Sequence, residues 1–295
     1  AAHQLGADGE KVRAALELLA SDGRVERADI AGRSCVYLRY YHDAEQFIAK
    51  RLCDIDRFCT PLDTSDIDRH ISQLELEFDI VYAAQQRKAI EAAMTHGVMV
   101  LTGGPGTGKT TVIRAVLTVF DRIGYEIALA APTGRAAKRM SEATSREAKT
   151  VHRLLEMDFS GDDMPVFKRD EQTRLDEDVI IIDEVSMMDC LLMDALCKAI
   201  KPGARLILIG DSDQLPSVGA GNVLWDIIES GRFATVKLTE IFRQAGESLI
   251  VTNAHAINRG EYPNLESNRS DFFFINRERD DEIARTIAEL CSVRL

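Results

Sequence analysis

Five short apolar runs divide the middle of the chain, and each leads into a polar or glycine-containing loop. Longer stretches with helical periodicity, such as Thr111–Phe120, lie between the runs. Continuous apolar runs that alternate with helices are typical of a parallel sheet covered on both faces. The pattern from about residue 80 to 260 therefore predicts an α/β fold that binds ligands at the carboxyl ends of its strands. The predicted strands are Val98–Leu101, Ile127–Ala131, Val179–Ile182, Leu206–Ile209 and Thr235–Leu238.

The first sixty residues follow a different pattern. Glu10–Ala20 and Tyr41–Arg57 predict amphipathic helices, and residues 24–27 and 35–39 alternate like the strands of a hairpin. A helix followed by a two-stranded wing resembles part of a winged helix. Such α+β modules either bind DNA or only pack against a neighbouring domain, and the sequence leaves both alternatives open.

We expect three segments along the chain. Residues 1–62 form the winged-helix-like module, residues 63–81 a linker helix, and residues 82–295 the α/β domain. After the last strand of the sheet the pattern predicts a helix over 247–258, a strand at Phe272–Ile275 and a final helix over 280–293.

Composition excludes several classes of protein. No apolar run approaches the 18 or so residues needed to cross a bilayer, so we expect no membrane partner. The six cysteines include no C-x-x-C pair, which favours neither a zinc site nor a disulfide framework and fits a reducing cytoplasm. The chain has neither an initiator Met nor a signal pattern at its start, and we expect it to begin inside a longer protein.

The net charge of −12 disfavours nucleic-acid binding when taken alone. Basic residues are nevertheless clustered locally. Charge runs of this kind are usually solvated helix faces, and for Lys138 and Arg139 that interpretation and a phosphate contact remain equally open. The two clusters are Arg135, Lys138 and Arg139, and then Arg146, Lys149, His152 and Arg153.

The sequence between the first predicted strand and its helix fits the phosphate-binding pattern G-x-x-x-x-G-K-[ST]. Its glycines allow backbone N–H groups to surround a phosphate, and the following helix adds its positive dipole end. Lys109 would reach the β- and γ-phosphates of ATP, and the hydroxyl of Thr110 would bind Mg²⁺. The predicted ATP-binding residues are Gly103, Gly104, Pro105, Gly106, Thr107, Gly108, Lys109, Thr110 and Thr111.

Two further strands end in candidate catalytic residues. Val179–Ile182 runs into Asp183 and Glu184. Asp183 would help to hold Mg²⁺, and Glu184 would orient and polarise the attacking water as the catalytic base. Leu206–Ile209 leads to Gln214, whose neutral amide would sense the γ-phosphate or the water.

These three segments together resemble motifs I, II and III of superfamily 1 helicases, and most closely those of the RecD-like DNA helicases, the family of the exodeoxyribonuclease V alpha subunit. The resemblance covers about residues 82–245. It implies a P-loop NTPase fold with a RecA-like parallel sheet. The matching segments are Gly-Gly-Pro-Gly-Thr-Gly-Lys-Thr at 103–110, Asp-Glu-Val-Ser-Met at 183–187 and Gly-Asp-Ser-Asp-Gln-Leu-Pro at 210–216.

The resemblance assigns roles to further residues. Gln86 matches the glutamine that reads adenine, and Arg243 matches an arginine that contacts the γ-phosphate. Two segments match those that contact single-stranded DNA in the family, and their predicted DNA-binding residues are Pro132, Thr133, Arg135, Thr150, His152 and Arg153. A hairpin predicted at about 155–175 corresponds to the strand-splitting pin of these helicases, although a plain surface hairpin would have the same sequence pattern. One departure is Ser217, where the family often has proline.

The resemblance implies an ATP-dependent 5′–3′ DNA helicase that acts on single-stranded DNA or on DNA with a 5′ overhang. Motifs of a second RecA-like domain do not occur in the sequence, so we expect this chain to bind Mg·ATP, to hydrolyse it poorly and not to unwind DNA alone. Two alternatives are the motor subunit of a recombination exonuclease complex and a nucleotide-gated DNA-binding scaffold. The module at 9–60 favours a stand-alone helicase, and intact Lys109, Asp183 and Glu184 disfavour the scaffold.

Overall fold

The computed structural model describes residue 6 and residues 8–30, 32–158, 166–240, 242, 248–265 and 271–294. The chain divides into two compact units: Ala1–Gly104 with Gly108–Thr239, and Pro105–Thr107 with Glu240–Leu295. In chain order, the elements of the first unit are α1 (Gly9–Ser21), β1 (Val25–Ile30), β2 (Arg33–Leu38), α2 (Arg39–Phe58), α3 (Ile67–Phe78), α4 (Ala84–Thr95), β3 (Val98–Gly103), α5 (Lys109–Arg122), β4 (Ile127–Ala131), α6 (Gly134–Thr144), β5 (Ala148–Thr150), α7 (Val151–Leu154), β6 (Met157–Asp158), β7 (Val166–Phe167), β8 (Val179–Ile182), a 3₁₀ turn (Val185–Met187), α8 (Cys190–Ala199), β9 (Arg205–Gly210), α9 (Val223–Glu229) and β10 (Ala234–Leu238).

A parallel sheet of six strands forms the centre of the first unit, as the apolar runs predict. Its strand order is β10-β3-β9-β8-β4-β5, and every neighbouring pair is parallel. Successive side chains point to opposite faces, so Val98 and Val100 pack in one apolar layer while Met99 and Leu101 pack in the other. The edge strand β5 was not predicted, because Ala148-Lys149-Thr150 is short and carries no apolar run.

Helix α2 completes one of these two layers. Ala44, Ile48, Leu52 and Ile55 recur at helical spacing on its buried face and share one core with α8 and the sheet. Arg51 also donates from Nε to the carbonyl of Cys197 (3.2 Å), and therefore satisfies an acceptor near the end of α8. The predicted boundary at residue 62 stays a prediction, but α2 packs as part of the α/β layer structure.

The hairpin before α2 is longer than the alternation predicts. The strands β1 and β2 pair from Val25 opposite Leu38 to Ile30 opposite Arg33. The sequence did not predict the additional pairs, because exposed polar residues such as Asp29 and Ser34, which lie opposite each other, interrupt the apolar alternation.

The second unit contains α10 (Leu249–Asn258) and α11 (Asp280–Arg294), which agree with the two predicted helices. The strand predicted at Phe272–Ile275 is wrong: these residues adopt no regular structure, and Phe273 and Phe274 are half exposed. An apolar run alone does not make a strand, because a strand also needs a neighbour that takes up its backbone hydrogen bonds.

Candidate nucleotide site and nucleic-acid groove

The predicted motifs converge at one edge of the sheet because its strands are parallel. Thr102 on β3 lies opposite Gly210 on β9, Leu208 lies opposite Ile182 on β8, and Ala131 on β4 lies opposite Thr150. The loops that follow these strands therefore leave the sheet side by side. The loop after β3 is the phosphate-binding loop, and the loops after β8 and β9 contain Asp183-Glu184 and Gln214. The predicted DNA-binding residues follow β4 and β5 or end those strands.

The base of the phosphate-binding loop lies in the first unit. Gly108 has a left-handed backbone (φ 83°), a conformation that glycine adopts without strain, and its carbonyl accepts the N–H groups of Thr111 and Val112 in α5. The ammonium of Lys109 donates to the carbonyl of Gly103 and to that of Gly104 (3.2 Å). The lysine is thus held within the loop, where a phosphate would meet its charge.

The tip of the loop, Pro105–Thr107, belongs to the second unit. There the carbonyl of Gly106 accepts the Phe242 N–H (3.3 Å), and His255 Nε2 donates to the carbonyl of Pro105 (3.3 Å). Gly106 also has a left-handed backbone (φ 76°). Arg243, the predicted γ-phosphate arginine, lies outside the described residues.

Asp183 and Glu184 form a tight turn after β8. Glu184 has a left-handed backbone (φ 55°), which is uncommon for a residue with a side chain and occurs often at functional sites. Its N–H donates to Asp183 Oδ1 (2.9 Å). Burial raises the pKa of the Asp183 carboxyl above its ordinary value, while that N–H and the charge of Lys109 oppose the rise.

These groups fit a Mg²⁺ ion. Mg²⁺ prefers hard oxygen ligands and retains several of its waters. Asp183 offers a half-buried carboxylate, and Thr110 offers a hydroxyl in the first turn of α5. A divalent cation beside Asp183 would stabilise the ionised carboxylate, which partial burial disfavours.

Gln214 lies in the loop after β9, and a serine in the neighbouring turn holds its side chain. The hydroxyl of Ser186 donates to Gln214 Oε1 (3.2 Å). The loop begins with hydrogen bonds of its own, since Gln214 N–H donates to the carbonyl of Asp211 (3.2 Å) and Asp213 N–H to the carboxylate of Asp211 (3.0 Å). Asp211 therefore helps to form the turn with both its carbonyl and its carboxylate.

Gln86, the residue predicted to read adenine, is almost completely buried, with 3 % of its surface exposed. Its side-chain oxygen accepts the Ala83 N–H (3.0 Å) and closes the first turn of α4, and its amide nitrogen reaches the carbonyl of Gly108 (3.5 Å). The residue thus links α4 to the phosphate-binding loop. Its predicted contact with adenine stays a prediction.

A groove of about 840 Å³ opens between the predicted DNA-binding segments and the Gln214 loop. Pro132, Thr133, His152 and Gln214 line it, so the structure brings these four predicted residues together. Apolar side chains form much of its remaining wall: Met157, Phe167, Met187, Leu191, Leu192, Leu215, Pro216 and Val218. Sequence reasoning missed these apolar residues and Ser186, because their residue types give no functional signal.

The two predicted DNA-binding threonines cap helices. Thr133 accepts the Ala136 N–H (3.3 Å) at the start of α6, and Thr150 accepts the Arg153 N–H (3.2 Å) at the start of α7. Each hydroxyl keeps its own hydrogen available for a phosphate oxygen. Arg135 and Arg153 are exposed and do not line the groove.

The hairpin predicted at 155–175 is present at its root, where Met157 pairs with Phe167 and Asp158 with Val166 in antiparallel register. Residues 159–165 of the predicted hairpin lie outside the described residues. Among the described helices none is both long and apolar enough to cross a membrane.

Comparison with known proteins agrees with these motifs. Residues 86–220 match the model of a family described as an AAA domain. The ATP-dependent RecD2 DNA helicase of Deinococcus radiodurans is 43 % identical over 179 residues, which are 61 % of this chain and 24 % of that protein. The RecBCD enzyme subunit RecD of Mycobacterium tuberculosis is 41 % identical over 202 residues, covering 60 % and 34 % of the two chains. The chain therefore spans about a quarter to a third of the length of these relatives.

Among solved structures, the Pif1 helicase from Candida albicans overlaps this chain with a TM-score of 0.44 and 22 % identity, over 73 % of this chain and 56 % of that one. This overlap is too small to bear on function. The motif set, its placement on a six-stranded parallel sheet and the identity to RecD proteins do bear on it. Over these residues the chain is similar to RecD-like superfamily 1 helicases, and its parallel sheet has a P-loop NTPase fold.

Proposed function

We propose that this chain binds Mg·ATP and single-stranded DNA as part of a 5′–3′ DNA helicase motor. The observation that carries the proposal is the convergence of Lys109, Asp183 and Gln214 with the groove at one edge of the sheet. Nucleotide chemistry and strand binding then act on adjoining loops, which is what a motor that couples them needs.

Each residue has a defined task in this proposal. Lys109 neutralises the β- and γ-phosphates, while the backbone N–H groups of the loop surround them. Asp183 and Thr110 would hold Mg²⁺, which when bound would neutralise charge on the phosphates. Glu184 orients the attacking water and accepts its proton, and the Gln214 amide donates to the γ-phosphate or to the water. Gln86 at adenine and Arg243 at the γ-phosphate follow from family resemblance.

Strand binding uses both the groove and the basic residues beside it. Thr133, Thr150 and Arg135 would contact phosphates, because hydroxyls and guanidinium groups donate to phosphate oxygens. The bases would lie toward the apolar wall of the groove, where stacking tolerates any sequence. A net charge of −12 makes this local placement of cations necessary, since the chain as a whole repels DNA.

A superfamily 1 motor uses two RecA-like domains, and the chain accounts for one of them. We therefore propose that it binds ATP but turns it over slowly, and that translocation requires the second domain. The RecBCD relatives support a second candidate, a motor subunit of a recombination exonuclease complex. The hairpin module before α2 supports the stand-alone helicase, because such members carry additional DNA-binding modules ahead of the motor.

The test measures ATP hydrolysis with and without single-stranded DNA, by this chain and by a longer protein that contains it. We expect slow hydrolysis by the chain, and in the longer protein strong stimulation by DNA that Glu184→Gln abolishes. Steady DNA-stimulated turnover by this chain would contradict the need for a second domain. Turnover of the longer protein that ignores DNA would contradict the helicase function and favour the nucleotide-gated scaffold.

A further inference from the structure

Ser186 follows the candidate catalytic base Glu184 closely in the sequence and contacts Gln214, the proposed γ-phosphate sensor. It is in the 3₁₀ turn Val185–Met187, two residues after Glu184, and 8 % of its surface is exposed. Its hydroxyl donates to the side-chain oxygen of Gln214 (3.2 Å). The serine therefore bridges the loop after β8 to the loop after β9 from a nearly buried position.

This hydrogen bond occupies the acceptor end of the Gln214 amide and leaves its donor end available to a ligand. A glutamine amide has an acceptor end and a donor end, and it can rotate to present either. When Ser186 donates to Oε1, the NH₂ group keeps its two hydrogens for another partner. A phosphate oxygen is an acceptor, so only the donor end is useful to a sensor of the γ-phosphate.

The backbone around Ser186 is held closely in place. Glu184 accepts the Met187 N–H at its carbonyl (3.0 Å), and Val185 accepts the Met188 N–H (2.9 Å). A Cβ atom added to Gly210, at the end of β9, would lie 3.3 Å from the Ser186 nitrogen. The turn thus packs directly on the strand that leads to Gln214, and one short segment positions both Glu184 and Ser186.

We infer that Ser186 is a positioning residue that orients the Gln214 amide, so that its donor end faces the γ-phosphate while the same turn positions Glu184. This inference rests on the proposed function. Its chemical content is narrow: Ser186 touches neither the nucleotide nor the water, and it acts only through Gln214. Removing its hydroxyl should slow the chemical step and leave ATP binding almost unchanged.

The test is a double-mutant cycle on the full chain with Ser186→Ala, Gln214→Ala and the double variant. Single-turnover hydrolysis, with protein in excess over Mg·ATP, measures slow rates. We expect Ser186→Ala to slow hydrolysis about five-fold, as for the loss of one neutral hydrogen bond, with ATP affinity within about two-fold of the original. In the Gln214→Ala background the same change should have no further effect. Ser230→Ala, which removes a hydroxyl that donates to the Ile227 carbonyl, is the matched control.

A second variant tests the orientation itself and does not alter the buried turn. Gln214 is exposed, and Gln214→Glu keeps an oxygen for Ser186 but has no N–H group. We expect it to be as slow as Gln214→Ala. Full activity of Gln214→Glu would overturn the inference, as would equal and additive losses from Ser186→Ala in both backgrounds. If the unmodified chain neither binds nor hydrolyses ATP, the proposed function fails first.

Discussion

The carboxylate of Asp56, near the end of α2, accepts the backbone N–H of Gly97 at 3.0 Å. The same oxygen accepts the Val98 N–H, also at 3.0 Å, where β3 begins. The two backbones approach so closely that a Cβ on Gly97 would lie 2.4 Å from the carbonyl oxygen of Ile55. Helix α2 is therefore joined to the central strands of the sheet by a contact that requires glycine.

Gly97→Ala should destabilise the protein by about 2–3 kcal/mol, because the new methyl group meets backbone atoms that cannot move aside independently. The measurement is urea unfolding followed by circular dichroism. Gly9→Ala is the control: a Cβ there has no atom within 4 Å and the residue begins an exposed helix. Equal stability of Gly97→Ala and the original chain would contradict the close packing of α2 on the sheet.

Two deletions should behave differently because of the same packing. Removing residues 1–38 takes away α1 and the hairpin, in which only Val25 is buried among the described residues. Removing residues 1–62 also takes away Ile48, Leu52 and Ile55, which at about 2 kcal/mol each amounts to roughly 6 kcal/mol. That loss is comparable to the whole stability of a domain.

We therefore expect the chain from residue 39 to unfold cooperatively and the chain from residue 63 to lack a cooperative transition. Thermal unfolding measured by calorimetry distinguishes the two. A cooperative transition in the shorter chain would show that the α/β domain folds without α2 and would support the boundary predicted at residue 62.

The sequence predicted the parallel sheet well because buried parallel strands are nearly continuous apolar runs. It also predicted the helical face Ala44, Ile48, Leu52 and Ile55 but not its partner, since periodicity shows which face is buried and not what covers it. The buried Arg205 shows the same limit. Its guanidinium donates to the backbone carbonyls of His96 (2.9 Å) and Thr60 (2.5 Å). Every residue has such a carbonyl, so the residue types in the sequence do not show which ones accept.

The candidate site, like the fold, was predicted only in part. Motif spacing predicted Lys109, Asp183 and Gln214, because each lies in a loop or at a helix start that follows an apolar strand. Ser186 was not identified, because a serine two residues after Glu184 has no chemical signature until the loop after β9 folds against it. The strand predicted at Phe272–Ile275 failed for the converse reason: the run is apolar, but strand formation depends on a neighbour.

Asp183→Asn should stabilise the protein at neutral pH while it removes Mg²⁺-dependent hydrolysis. Burial raises the pKa of this carboxyl in the folded protein above its unfolded value, so the ionised form opposes folding at higher pH. As the pH falls through the folded pKa toward the unfolded one, the carboxyl takes up a proton and that cost disappears. Asparagine is neutral throughout, and its oxygen still accepts the Glu184 N–H.

The gain should be about 1 kcal/mol at neutral pH, in the range found when strained functional sites are neutralised, and should shrink as the medium is acidified. Chemical denaturation at several pH values without Mg²⁺ measures it. Asp29→Asn, at an exposed position on β1, should change stability at neither end of the range. A stability gain that does not depend on pH would contradict the assignment to the Asp183 charge.

Arg135→Ala should weaken single-stranded DNA binding about five-fold and reduce its salt dependence. A guanidinium that neutralises one phosphate releases about 0.7 of a counterion, so the slope of log affinity against log salt should become shallower by about 0.7. Fluorescence anisotropy of a labelled oligonucleotide at several salt concentrations measures both quantities. Arg69→Ala is the matched control, since Arg69 is an exposed arginine on α3.

Arg139, one turn beyond Arg135 on α6, is exposed as well, and its replacement by alanine decides between the two interpretations of that helix face. A shallower salt slope for Arg139→Ala would extend the DNA-binding surface along α6, whereas an unchanged slope would make Arg139 part of a solvated face. An unchanged slope for Arg135→Ala itself would mean that α6 does not contact the DNA.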